Sequence, residues 1–119
     1  MDLLLIAPYP LLARPLRVGL EEEGFTVDVA RDDTEAERRL AAKVYDAIVV
    51  DLLRDNSLDT LRAWRQRGVT APILMLAVPG SLAHQAAAAD LRPGDTLTKP
   101  FELAELLARL RRLTAAPGG

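Results

Sequence analysis

Short apolar runs alternate with stretches of helical spacing along the whole chain. LLLIA (3–7) is continuous and apolar, as a strand covered on both faces would be. Residues 10–23, PLLARPLRVGLEEE, carry apolar side chains at 11, 12, 16 and 20, the spacing of a helix face. Pro10 suits a first turn, Pro15 predicts a kink or a delayed start, and Gly24 marks the end. FTVDVA (25–30) alternates, as an edge or half-covered strand does. DDTEAERRLAAKV (32–44) opens on an Asp cap with acids in its first turn. DAIVVDLL (46–53) is the most apolar strand, and LDTLRAWRQRG (58–68) is a helix closed by Gly68. APILMLAV (71–78) reads as a buried strand, SLAHQAAAADL (81–91) as an Ala-rich helix with a Ser cap, and DTLTK (95–99) as a short strand. FELAELLARLRRL (101–113) is amphipathic, with Leu at 103, 106, 107, 110 and 113.

The order is strand then helix, five times, with short connections. It predicts an α/β fold: a doubly wound, five-stranded parallel sheet with helices on both faces, since right-handed crossovers place them there. A chain of 119 residues suffices for one domain, expected over 1–114, with 115–119 a flexible tail or the start of a linker. A net charge of −2 argues against a dedicated nucleic-acid surface. The absence of cysteine excludes disulfides, thiol catalysis and zinc–thiolate sites, and a single histidine, His84, cannot build a metal cluster alone. The first residues lack a basic n-region and are broken by prolines, so they read as a buried strand and not as a signal peptide. No run approaches the ~20 apolar residues of a membrane span. A soluble, cytoplasmic protein is expected.

Ligands of open α/β sheets bind beyond the carboxyl ends of the strands, where strand order reverses. Those ends offer Ala7, Pro8 and Tyr9, then Asp51, Ala77 and Lys99. An Asp and a Lys converging there suit an acyl-phosphate site, with Asp as nucleophile and Lys neutralising phosphoryl charge. A structural ion pair at the sheet rim fits the same two residues. The local pattern leaves both readings open.

The whole chain resembles a response-regulator receiver domain, and most of all the subfamily that carries a winged-helix DNA-binding domain. The resemblance rests on LLLIAPYPLLARPLRVGLEEEGFTVDVARD, on YDAIVVDLL, on APILMLAV and, most specifically, on LTKPFELAELLARLRRL. It implies a flavodoxin-like receiver fold, with Asp51 at the phosphoacceptor position and Lys99 as the lysine that contacts the phosphoryl group. Lys99-Pro100 resembles a motif whose peptide bond is cis in that family.

Four positions depart from the pattern. Ala7 and Pro8 stand where the family keeps two acids that help bind Mg²⁺, a hard ion that demands oxygen ligands. Ala77 stands where a Ser or Thr hydroxyl bonds the phosphoryl group, and Thr96 where an aromatic switch residue stands. The loop after Asp51, LLRDNSLD, counts two residues short and lacks the usual Pro and Gly. Phosphoryl transfer depends on positioning and charge neutralisation. Loss of the metal ligands, the hydroxyl and the ring together predicts a vestigial Asp51 held by Lys99, and Mg²⁺ binding that is weak or absent. Asp55 or Asp59 rebuilding a metal site is the alternative; loop solvation and helix capping are the favoured account of both acids.

The resemblance also implies dimers through the face of helix 81–91, strand 95–99 and helix 101–113. Asp95, Glu105 and Arg109 match acids and a base of that face, while the basic partner of Glu105 corresponds to Gln85. Solvated surface charge is the plainer account of these residues. His84 reads as a surface residue and Trp64 as core or interface filler. Tyr9 reads as a plug for the space the acids leave, and the arginines of RQRG and RLRR as solvated helix ends. The expected function is an atypical, non-enzymatic receiver domain acting by protein contact, largely independent of phosphate and Mg²⁺. Its expected partners are a second copy, a histidine kinase and a C-terminal DNA-binding domain outside this chain, with no membrane and no direct nucleic-acid contact. An ordinary receiver phosphorylated at Asp51 is the alternative, and a small-ligand sensor using the vacated pocket a third reading.

Overall fold

A computed structural model describes residues 1–51, 57–78 and 94–115. Their elements are β1 (Asp2–Ile6), α1 (Pro10–Glu22), β2 (Thr26–Ala30), α2 (Asp33–Ala42), β3 (Ala47–Asp51), α3 (Ser57–Gln66), β4 (Ile73–Ala77), β5 (Gly94–Thr98) and α4 (Leu103–Thr114). All five strands pair in parallel, in the order β2-β1-β3-β4-β5. The expected doubly wound sheet is present, with the strand order reversing between β1 and β3. The helix expected over 81–91, with His84 and Gln85, and the shortened loop with Asp55 lie outside the described residues.

Strand alternation sends successive side chains to opposite faces, and each face has a helical cover. Leu3, Leu5, Val49, Leu74 and Leu76 pack with Leu16 and Leu20 of α1 and with Leu106, Leu107 and Leu110 of α4. Leu4, Ile6, Ile48, Val50, Ile73 and Met75 pack against Ala36 of α2 and against Leu61 and Trp64 of α3. β1, β3 and β4 therefore read as continuous apolar runs because both of their faces are dry. β2 closes one edge, as its alternation predicts.

Local chemistry sets most element ends. The Asp32 side chain accepts the Glu35 N–H at 2.8 Å and caps α2. Glu102 and Glu105 form a reciprocal capping box at the start of α4. Gly24 and Gly68 sit at φ +96° and +97°, the left-handed conformation that lets the chain turn out of α1 and α3.

Three expectations are corrected. α1 runs unbroken from Pro10 to Glu22 with Pro15 inside it. The bond Pro15 cannot donate would go to the carbonyl of Leu11, a residue on the solvent side of the helix, where a carbonyl without an intrahelical partner is tolerated. Leu11 itself is 92% exposed. The face that packs runs through Ala13, Leu16, Gly19 and Leu20, and the 100° step per residue carries Leu11 away from it. Arg65 of RQRG is no solvated helix end: its guanidinium donates to the carbonyls of Val69 and Ala71 at 2.8 and 2.7 Å, securing the turn into β4.

Beside β2, the hydroxyl of the buried Tyr45 donates to Asp28 at 2.7 Å, and Lys43 lies 3.6 Å from the same carboxylate. That hydrogen bond, with Lys43 and Arg39, holds the Asp28 carboxyl below its ordinary 3.8 against the opposing effect of burial. Burial and Asp28 together push the Tyr45 hydroxyl up to about 12. A depressed carboxyl stabilises the fold above its ordinary value and loses that contribution as pH falls through its folded value. Tyr45→Phe should therefore cost about 1 kcal/mol at neutral pH. The difference from the parent protein should shrink below pH 3.8, as read by denaturant melts across pH.

Candidate functional site

The carboxyl ends of β1, β3, β4 and β5 form one rim, and the strand-order reversal lies beside β1 and β3. Asp51 is the last residue of β3, in register with Leu76 of β4. Ala7 follows β1, with its N–H on the Ala30 carbonyl at 2.9 Å. Lys99 follows β5, with its N–H on the Ala77 carbonyl at 2.9 Å, and the Lys99-Pro100 bond is cis, as the resemblance implies. Backbone pairing thus fixes each rim position before any side chain acts.

Asp51 is the buried charged residue among those described, its side chain 1% exposed. A carboxylate so placed is costly without a partner. Lys99 supplies one: its ammonium donates to Asp51 Oδ1 while its side chain stays 26% exposed. Asp51 Oδ2 has no hydrogen-bond partner among the described residues. Ala77 is fully buried and presents only a methyl. Thr96, in register with Met75 of β4, buries its hydroxyl without a partner among the described residues.

Tyr9 does not plug the rim. It is 59% exposed, and its carbonyl accepts the N–H groups of Leu12 and Ala13 at 3.1 and 3.0 Å to open α1. Its extended backbone at the helix start turns the ring to solvent. Asp59 is in the first turn of α3, 3.6 Å from Arg62, where an acid suits the helix dipole. Trp64 is 2% exposed and belongs to the core, its indole N–H donating to Glu37 at 3.3 Å.

A second cluster joins β5 to α4. Arg109 donates to Asp95 Oδ2 at 2.8 Å and to the Thr96 carbonyl at 3.1 Å, and Arg112 pairs with the same carboxylate. Burial pushes the Asp95 carboxyl up. The Thr96 N–H and both guanidinium groups outweigh it and hold the carboxyl below its ordinary value. The sequence reading took Arg112 for a solvated helix end, although its position three after Arg109 puts both on one helix face. Arg111 pairs with Glu23 at 3.0 Å. The arginines of RLRR are thus engaged, not free helix ends. The Glu105 side chain accepts the Glu102 N–H at 3.4 Å, so its visible task is capping.

The chain matches the response regulator receiver domain model over residues 3–111, and it belongs to that family. It is 40% identical to the response regulator protein PmrA of Pseudomonas aeruginosa over all of its own length and 55% of the relative's. It is 33% identical to the transcriptional regulatory protein QseB of Escherichia coli O157:H7, again over 100% of this chain and 55% of that one. The chain therefore spans about half the length of these curated relatives. Among solved structures, a Francisella response-regulator receiver domain superposes with a TM-score of 0.85 at 26% identity, covering 95% of both chains. The receiver domain of a sensor histidine kinase from Pseudomonas aeruginosa PAO1, solved with magnesium coordinated in its cleft, gives 0.79 at 26% identity, covering 97% of this chain and 98% of that one.

Among the described residues, the donor set at the rim does not fit Mg²⁺. The ion needs about six oxygens in near-octahedral array. Ala7 and Pro8 contribute no side-chain ligand, and Lys99 already occupies one oxygen of Asp51. No group of three His, Cys, Asp or Glu side chains able to hold a metal occurs among the described residues. No helix among them is long and apolar enough to cross a membrane.

The two members of the ion pair are unequal. Removing Lys99 strands a buried carboxylate, whereas neutralising Asp51 leaves a lysine that reaches water. Lys99→Met should cost about 3 kcal/mol, and Asp51→Asn about 1 kcal/mol. Adding Asp51→Asn to Lys99→Met should recover most of the larger loss in urea denaturation.

Proposed function

We propose that this receiver domain works as a protein-contact module whose signalling does not depend on phosphate or Mg²⁺. The single observation behind this reading is the state of Asp51. Its carboxylate is buried and neutralised by Lys99, while Ala7, Pro8 and Ala77 supply neither metal ligand nor hydroxyl around it. Phosphoryl transfer gains most of its rate from metal and dipoles placed where charge develops, each worth several kcal/mol. Without them Asp51 keeps a structural task, balancing Lys99 at the rim.

The relatives extend well beyond the length of this chain, and one is a transcriptional regulatory protein. In the proposed reading the domain is the N-terminal part of such a regulator. A DNA-binding domain follows it, and a histidine kinase is a docking partner without being an obligatory phosphate donor. Contact is made by the face of β5 and α4, where Asp95, Arg109 and Arg112 form an ordered charged cluster and the Arg112 side chain is 67% exposed. A second copy of the domain is its expected partner.

Beryllofluoride, an acyl-phosphate mimic, tests the first claim. Titrated with Mg²⁺ up to low millimolar concentration, it should leave the Trp64 fluorescence and the amide spectrum unchanged. Saturable binding would restore Asp51 as a phosphoacceptor. For the contact face, Arg109→Glu should lower self-association in sedimentation velocity. An unchanged monomer–dimer balance would remove that face from the account.

A further inference from the structure

Between α1 and the edge of the sheet lies a cavity of about 160 Å³. It is lined by the apolar Ala7, Pro10, Ala13 and Val29, which make an apolar floor in composition, and by Arg14, Arg17 and Arg31, the charged part or rim of the lining. No acidic side chain lines it. Three cations around an apolar floor are an unusual arrangement on a chain of net charge −2. Ala7 contributes to it directly, because a methyl at this position keeps the floor uncharged.

The rim is available. Arg17 lies 3.5 Å from Glu21 and Arg31 3.8 Å from Glu35, both pairs one helical turn apart, with the Arg31 side chain 71% exposed. Such exposed pairs are worth about 0–1 kcal/mol, so a competing anion displaces them at little cost. Arg14 has no ion pair among the described residues. Guanidinium groups bind carboxylate and phosphate through paired N–H donors, which favours a flat or tetrahedral anion over a halide. The volume is close to that of an engineered cavity of about 150 Å³ that holds benzene. It admits a single ring or a short acyl chain, not a folded partner.

We propose that this cavity binds a small amphipathic organic anion, an apolar group of ring size bearing one carboxylate or phosphate. The apolar part seats on Ala7, Ala13 and Val29, and the charge meets the arginine rim. A ligand here bridges α1 to β1 and β2 and gives the domain an input other than phosphate. The site stands whether or not Asp51 is a phosphoacceptor, so its failure and that of the proposed function are separate results.

Amide spectra of the full chain, titrated in parallel with phenyl phosphate, benzoate, benzyl alcohol and inorganic phosphate, test the proposal. Both aromatic anions should give saturable shifts centred on Ala7, Ala13 and Val29. Benzyl alcohol and inorganic phosphate should each bind at least tenfold more weakly, since each carries half of the recognition. The double change Arg14→Ala and Arg31→Ala should weaken the aromatic anions at least tenfold while leaving benzyl alcohol unchanged. Both side chains are exposed, and an unaltered melting temperature will show that the variant folds. Absence of saturable shifts would overturn the proposal. So would equal binding of benzyl alcohol or inorganic phosphate, or unaltered affinity in the double variant.

Discussion

One ion pair governs the working rim of this domain. Asp51 sits at the end of a strand buried along its whole length, where a carboxylate has almost no access to water, and Lys99 makes that tolerable. The lysine arrives there because β5 pairs with β4 and leaves Lys99 anchored on the Ala77 carbonyl. The sheet therefore sets the distance between the two charges, and the charges in turn hold the ends of β3 and β5 together. Substitutions elsewhere on the rim act through this balance.

Two other polar arrangements share this logic at different depths. In the middle of β2, Asp28 gathers a tyrosine hydroxyl and two cations and stays ionised below its ordinary range. At β5, Asp95 is clasped by Arg109 and Arg112. All three acids are at strand positions, and each is matched by bases from elsewhere in the chain. Only Asp51 is cut off from solvent, and so only there does loss of the base leave a stranded charge. The surface clusters can exchange partners with a second molecule at small cost. That difference is the reason the proposed contact lies on β5 and α4 and not at the rim.

The cavity beside α1 adds a chemical contrast. Its floor includes Ala7, and its rim is basic. An acid at position 7 would add a negative charge to that floor. An alanine gives the lining a methyl and no cation ligand, which suits the proposed organic anion.

The sequence by itself determined the element order and the parallel sheet, because continuous apolar runs separated by helical spacing have few other ways to bury their side chains. It also determined Gly24, Gly68 and the Asp32 cap, which depend only on local backbone chemistry. The rim residues Asp51 and Lys99 were legible too, since parallel strands carry their carboxyl ends to one side. Tertiary structure alone decided the direction of single side chains: Leu11 to water, Tyr9 away from the rim, and Arg65 onto two carbonyls. Those outcomes turn on a helix's rotation about its axis and on contacts between residues distant in sequence. Local patterning, blind to both, does not encode the cavity where Ala7, Val29 and three arginines meet.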